Sequence, residues 1–173
     1  MKKTVFITRT AIFLALALVF QIYFRTFAQP VVGPLVNFVL FLSTMLVGVT
    51  SAIIVGSLTP LIAFSFGIMP LFPVVPFIMV GNIFMVTIYY FISNNLQGYF
   101  SNFLGILLAA FGKFLFLALS IRYVVPLLIP QVPPPIVQAL SLPQLYTALI
   151  GGVLAILVAK GLNEYLYSKT KAN

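Results

Sequence analysis

The stretch LVNFVLFLSTMLVGVTSAIIVGSLTPLIAFSFG, residues 35–67, decides how this chain folds. It is apolar almost throughout and holds no charged residue. A helix needs about 20 apolar residues to cross a bilayer, so this run is too long for one ordinary span. It reads either as one helix with a re-entrant tail or as two short helices. The turn-prone GVTS at 48–51 offers a break, with Thr50 or Ser51 as the N-cap of the second helix. We read two spans, 35–48 and 51–67, with Pro60 kinking the second.

Four further apolar runs flank this pair, at about 4–24, 77–92, 100–128 and 142–167. Between them lie RTFAQPVVGP (25–34), the stiff IMPLFPVVP (68–76), the polar turn SNNLQGY (93–99) and IPQVPPPIVQ (129–138). The last of these predicts extended polyproline. The final run opens with SLPQ (141–144): Ser141 fits an N-cap, Pro143 the first turn and Gln144 a capping-box partner. The predicted fold is a single domain, an all-α integral membrane protein of six transmembrane helices.

Composition supports that class. Of 173 residues, 62% are hydrophobic and 6% charged, against about a quarter charged in soluble domains. The net charge of +8 comes from nine Lys/Arg against one acid, Glu164. In a soluble chain that excess would suggest nucleic acid. Here the basic residues gather at the two ends, Lys2, Lys3 and Arg9 at one and Lys160, Lys169 and Lys171 at the other. The positive-inside rule puts both termini in the cytoplasm, which requires an even number of spans. Only Arg25 and Arg122 then fall towards the outside. The basic start and TFA (26–28) also resemble a cleaved signal peptide, but cleavage would leave five spans and spoil the parity.

Missing residue types exclude whole classes of function. There is no Cys and no His, so thiol and imidazole chemistry and the usual zinc or haem ligands are absent. With no Asp, there is neither a carboxylate pair for acid–base catalysis nor an Asp-held magnesium. No intramembrane carboxylate or imidazole offers a proton relay, and no Walker loop binds ATP. The chain is not expected to be an enzyme, and no metal or cofactor is expected.

Against that background Lys113, in AAFGKFLFL (109–117), stands out. It lies roughly 12–15 Å from either end of the apolar run 103–121, too deep for its stem to reach water. A charge at such depth costs about 3 kcal/mol and usually faces a cavity or a partner. Glu164 lies near the inner end of the last span, so no carboxylate of the chain is placed to pair with Lys113. A bound anionic ligand would serve, and so would waters and carbonyls in a cavity. Asn82, beside Gly81, lies about 8 Å below the outer end of its span, and Tyr146 and Thr147 are at similar depth. Asn82, Lys113 and Tyr146 are predicted around one outward-opening pocket, although Asn82 equally suits a helix–helix hydrogen bond and Tyr146 an interfacial belt. Arg25 is placed to close over an anion or to stay solvated. Arg122, nine residues from Lys113, falls on the opposite face of a straight helix. Lys160 and Glu164 form an i,i+4 pair.

Small residues mark two faces. Ala11-xxx-Ala15 in the first span suits close approach of another helix in lipid. Gly151, Ala155 and Ala159 in the last span read as internal packing.

Taken together, these features resemble the substrate-binding S component of an energy-coupling-factor (ECF) vitamin transporter. The resemblance rests on the size, the six spans, Ala11-xxx-Ala15, GPLVNFVLFLSTMLVG (33–48), GSLTPLIAFSFGIMPLFPVVPFIMVGN (56–82) and the lysine in AAFGKFLFL. It implies capture of a vitamin or related small micronutrient from outside the cell membrane. It also implies a pocket lined by helices 4–6 and closed by the loops after helices 1, 3 and 5. Ala11 and Ala15 would dock onto a transmembrane T subunit, and two cytoplasmic ATPases would supply energy as the S component topples within the membrane. The residues alone also admit a self-contained small transporter or channel acting as a homo-oligomer, or a membrane scaffold subunit that binds nothing.

Overall fold

The structure, a computed structural model, describes the backbone of residues 2–69, 71–96 and 99–172, and their side chains apart from 27–29, 99 and 163–172. Every element among the described residues is helical. Helix α1 (Lys3–Tyr23) is followed by a 3₁₀ turn, Arg25–Phe27, and then by α2 (Ala28–Leu46) and α3 (Val49–Ser65). A second 3₁₀ turn, Phe72–Val74, leads into α4 (Val75–Asn95). Then come α5 (Tyr99–Leu119), a π-helical turn (Ser120–Val124) and the short helices α6 (Val125–Leu128) and α7 (Pro134–Ala139). Helix α8 (Leu142–Ala172) ends the chain. Among the described residues, four stretches are long and apolar enough to cross a membrane: Lys3–Tyr23, Phe72–Asn95, Phe100–Leu128 and Pro134–Leu162. Pro30–Leu46 and Val49–Ser65 are shorter apolar helices.

The predicted break in the long apolar run is present. Gly48 adopts φ 120°, a backbone conformation that side chains rarely tolerate, and separates α2 from α3. Capping differs from expectation: α3 starts directly after Gly48 with no side-chain cap. Ser51 is buried and bonds sideways, to Ser43 of α2 and Thr10 of α1, both at 2.9 Å. This hydroxyl cluster ties three helices together at the Gly48 end.

Both proline-rich connections are more helical than predicted. Helix α2 begins at Ala28, with Pro34 inside it and Pro30 in its first turn. Proline is tolerated in a first turn, where its missing N–H would be unpaired in any case. The same reasoning accounts for α7. Pro133 is its extended N-cap and prolines occupy the first helical positions, so half of the expected polyproline segment is a helix. The fifth span is continuous only through the π turn at Ser120–Val124, which precedes Pro126. A proline clashes with the carbonyl four residues back, and the wider turn absorbs that clash. At the start of α8, Pro143 sits in the first turn as predicted, but Ser141 does not cap it. Its hydroxyl bonds back to the Val137 carbonyl at 2.7 Å. Gln144 bonds the Ala139 carbonyl at 3.0 Å instead of closing a capping box. The Glu164 side chain, and so its expected pairing with Lys160, lies outside the described residues, as does Gln97 of the polar turn.

Helix α8 packs closely along α2. A Cβ added at Gly151 would lie 2.6 Å from both the Phe38 nitrogen and the Pro34 oxygen, so the two backbones touch there. Ala155 and Ala159 continue this buried face, as the sequence predicts. Two hydrophobic cores result. The larger, at the Gly48 end, holds Leu40, Phe41, Met85, Tyr89, Ala109 and Ala155, with Phe41 and Tyr89 edge to face at 5.3 Å. The smaller gathers Val74, Leu117, Ile121, Val125 and Leu140 at the other end. On α5, Lys113 falls between the residues that serve each core.

Gly151→Ala is expected to lower stability by about 1–3 kcal/mol through overpacking. Gly161→Ala, with nothing within 4 Å of its added Cβ, should be neutral or slightly stabilising. Thermal unfolding of both variants in detergent checks this; equal melting temperatures would contradict the α2–α8 contact.

Candidate functional site

Lys113 is 3% exposed, and its Nζ donates to Asn37 Oδ1 of α2 at 2.7 Å. Asn37 Nδ2 in turn approaches Thr147 Oγ1 of α8 at 3.4 Å. A polar bridge thus joins α5, α2 and α8 in the middle of the bundle. Asn37 supplies a neutral oxygen where the sequence offers no carboxylate. A hydrogen bond to a charged group contributes about 1.5–3 kcal/mol, less than the cost of holding an ammonium in hydrocarbon.

Asn82 is explained by a different local need. Pro60 has no N–H, so the Gly56 carbonyl four residues earlier loses its intrahelical donor. Asn82 Nδ2 of α4 supplies one, at 2.9 Å. The α3–α4 approach is close there, since a Cβ on Gly56 would lie 3.0 Å from Asn82 Cβ. Helix α3 runs from Val49 to Ser65 with Pro60 inside it. Gly81, next to Asn82, receives the Leu117 side chain of α5.

These side chains surround a cavity in two parts. An inner chamber of about 70 Å³ is lined by Lys113, Asn37, Asn82, Gln144, Gln21 and Thr59, among others. An outer chamber of about 320 Å³ shares Gln21, Val32, Met69, Ile78 and Leu140 with it, so the two adjoin. The outer chamber is mainly aliphatic, and exposed Arg25 stands at its edge. Three connections meet around it: Arg25 after α1, Ile68, Met69 and Leu71 after α3, and Pro135, Ile136 and Ala139 before α8. One lining group is left unsatisfied. Gln21 is 6% exposed, and its Oε1 has no hydrogen-bond partner. A buried carbonyl in that condition costs about 1–3 kcal/mol.

Of the residues singled out from the sequence, Lys113 and Asn82 line the inner chamber and Arg25 the outer. Thr147 is fully buried and reaches the chamber through Asn37. Tyr146 points elsewhere. It is 38% exposed and borders a separate hollow with Arg122, Val137 and Ser141. Adjacent helix positions are about 100° apart, so when Thr147 turns to α2, Tyr146 cannot. The cavity is therefore not confined to helices 4–6: α1, α2 and α3 contribute Gln21, Asn37 and Thr59. Arg122 is exposed while Lys113 is buried, in keeping with opposite faces of the fifth span. Ala11 and Ala15 are both exposed on α1, whose buried side is carried by Thr10, Ala17 and Gln21.

Comparison of the chain with protein-family models, with curated proteins and with solved structures finds no match.

Asn82→Leu should destabilise the fold by about 1–3 kcal/mol, because it strands the Gly56 carbonyl. In a Pro60→Ala background, where residue 60 regains its N–H, most of that loss should disappear. A double-mutant cycle on unfolding free energy measures the difference, and additive losses would sink the explanation.

Proposed function

We propose that this chain is the substrate-capture subunit of an ECF-type importer in a prokaryotic cell membrane. In this reading it binds a vitamin or related small micronutrient and works with a transmembrane T subunit and two ATPases. The observation that carries the reading is the two-part cavity at Lys113, polar at its floor and bordered at its other end by three connections. Those connections follow α1, α3 and the α5–α6 segment, the same three that close the pocket in the family the sequence resembles.

The membrane arrangement belongs to the same proposal. In it, α2 and α3 cross alongside the four long spans. Their 19 and 17 residues correspond to about 25–28 Å, close to the hydrocarbon thickness. Thr10 bonds to Ser51 beside the Gly48 turn, and Lys160 shares a hollow with Gly48. Thr10 and Lys160 thus lie toward the same end of the bundle, which supports an even number of crossings. With Lys2, Lys3 and Lys160 at that end, the positive-inside rule makes it cytoplasmic, and the Lys113 cavity opens outward.

Energy would come from partners. The exposed Ala11 and Ala15 give α1 a face that a partner helix can approach closely, which is how lipid-embedded helices associate. Ala11→Trp and Ala15→Trp should abolish co-purification with the T subunit and ATPases while leaving ligand binding by the solitary chain intact. Co-purification at the wild-type level would contradict this reading.

A further inference from the structure

The same cavity carries information about what it holds. Its floor is polar and small. It measures about 70 Å³ against about 320 Å³ for the outer chamber, room for a small polar group beside Lys113. Lys113 there has one hydrogen-bond partner among the described residues, the neutral oxygen of Asn37, and a lysine head carries up to three donors. The roof is wider and aliphatic, with Val32, Ile68, Leu71, Val74, Ile78 and Ile136 facing it. No aromatic ring lines either chamber among the described residues, although 15% of the chain is aromatic. Proteins commonly hold flat heterocycles by stacking them on such rings, and the described rings lie elsewhere. Between floor and roof, Gln21 lines both chambers, and its buried Oε1 has no hydrogen-bond partner.

Resting on the capture reading above, we infer that the substrate is a small monocarboxylate with a non-aromatic, aliphatic body, bound with its carboxylate down at Lys113. Its body fills the outer chamber, and an N–H or O–H group at the junction donates to Gln21. The carboxylate takes donors of Lys113 that Asn37 leaves unused, and the Gln21 contact satisfies an oxygen that the fold alone leaves stranded. Arg25 at the mouth attracts the anion but does not hold it in the final pose.

The test uses the purified full-length chain incubated with a deproteinised yeast extract, washed, and analysed by mass spectrometry for retained small molecules. The retained compound and its primary amide are then titrated calorimetrically against wild type, Lys113→Met and Gln21→Leu. The expected result is an aliphatic carboxylic acid whose amide binds at least about tenfold more weakly, as loss of a charge-assisted hydrogen bond implies. Lys113→Met should lower affinity for the acid by a similar factor while leaving the amide nearly unaffected. Gln21→Leu should weaken both. That pattern distinguishes a recognition role from a merely structural one, which would move acid and amide together in Lys113→Met. Retention of a flat aromatic compound or a cation would overturn the inference and leave the capture reading standing. Retention of nothing by a folded protein would overturn the capture reading, and this inference with it.

Discussion

A buried lysine in the middle of a membrane-type helix, with no carboxylate to meet it among the described residues, is the constraint around which the bundle is arranged. Lys113 requires oxygen, and Asn37 provides it across the α2–α5 interface. Asn37 in turn requires its own neighbours, and Thr147 stands next to it on α8. That geometry depends on α8 lying close to α2, which a backbone contact at Gly151 permits. A cavity lies between two hydrophobic cores because the residues at this level are polar and do not close over one another. Stability and site are therefore coupled: the groups that make the lysine tolerable also line the space in front of it.

Proline plays a second organising part. Pro60 frees a carbonyl inside α3, and Asn82 crosses from α4 to occupy it. Pro126 follows a π turn at the outer part of the fifth span, and Pro134 opens the short α7 that helps border the outer chamber. Rigid, proline-started turns suit a rim that holds its shape. The Gly48 end is built differently, from a left-handed glycine and a cluster of three hydroxyls. In the proposed orientation the outer end recognises the substrate and the inner end is fixed, with the exposed side of α1 left to a partner.

Much of this was legible in the residues, and the misses have physical causes. The apolar runs predict the long helices, and Gly48 marks the break inside 35–67 because glycine alone tolerates that backbone. The stripe at Gly151, Ala155 and Ala159 reads correctly as packing. The proline-rich stretches 25–34 and 129–138 mislead because proline looks like a breaker from sequence, while at a first turn it is a good starter. Asn37 and Gln21 escape notice, and Gln144 is read only as a cap, since isolated polar residues in apolar runs have no partner visible along the chain. Pro60 held a usable signal: a missing N–H inside a span implies a donor elsewhere, and Asn82 is such a donor. Tyr146 and Thr147 show the limit of depth arguments. Both lie at the right level, and only the packing of α8 on α2 decides which one turns inward.

Everything proposed for this chain requires the chamber at Lys113 to take a small molecule. Native mass spectrometry of the gently purified chain tests this most directly, with wild type and Lys113→Met compared at equal thermal stability. The expected spectrum shows one small-molecule adduct per chain in the wild type and none in the variant. An adduct of equal occupancy in both, or none in either, would contradict the claim that this buried lysine anchors a captured substrate.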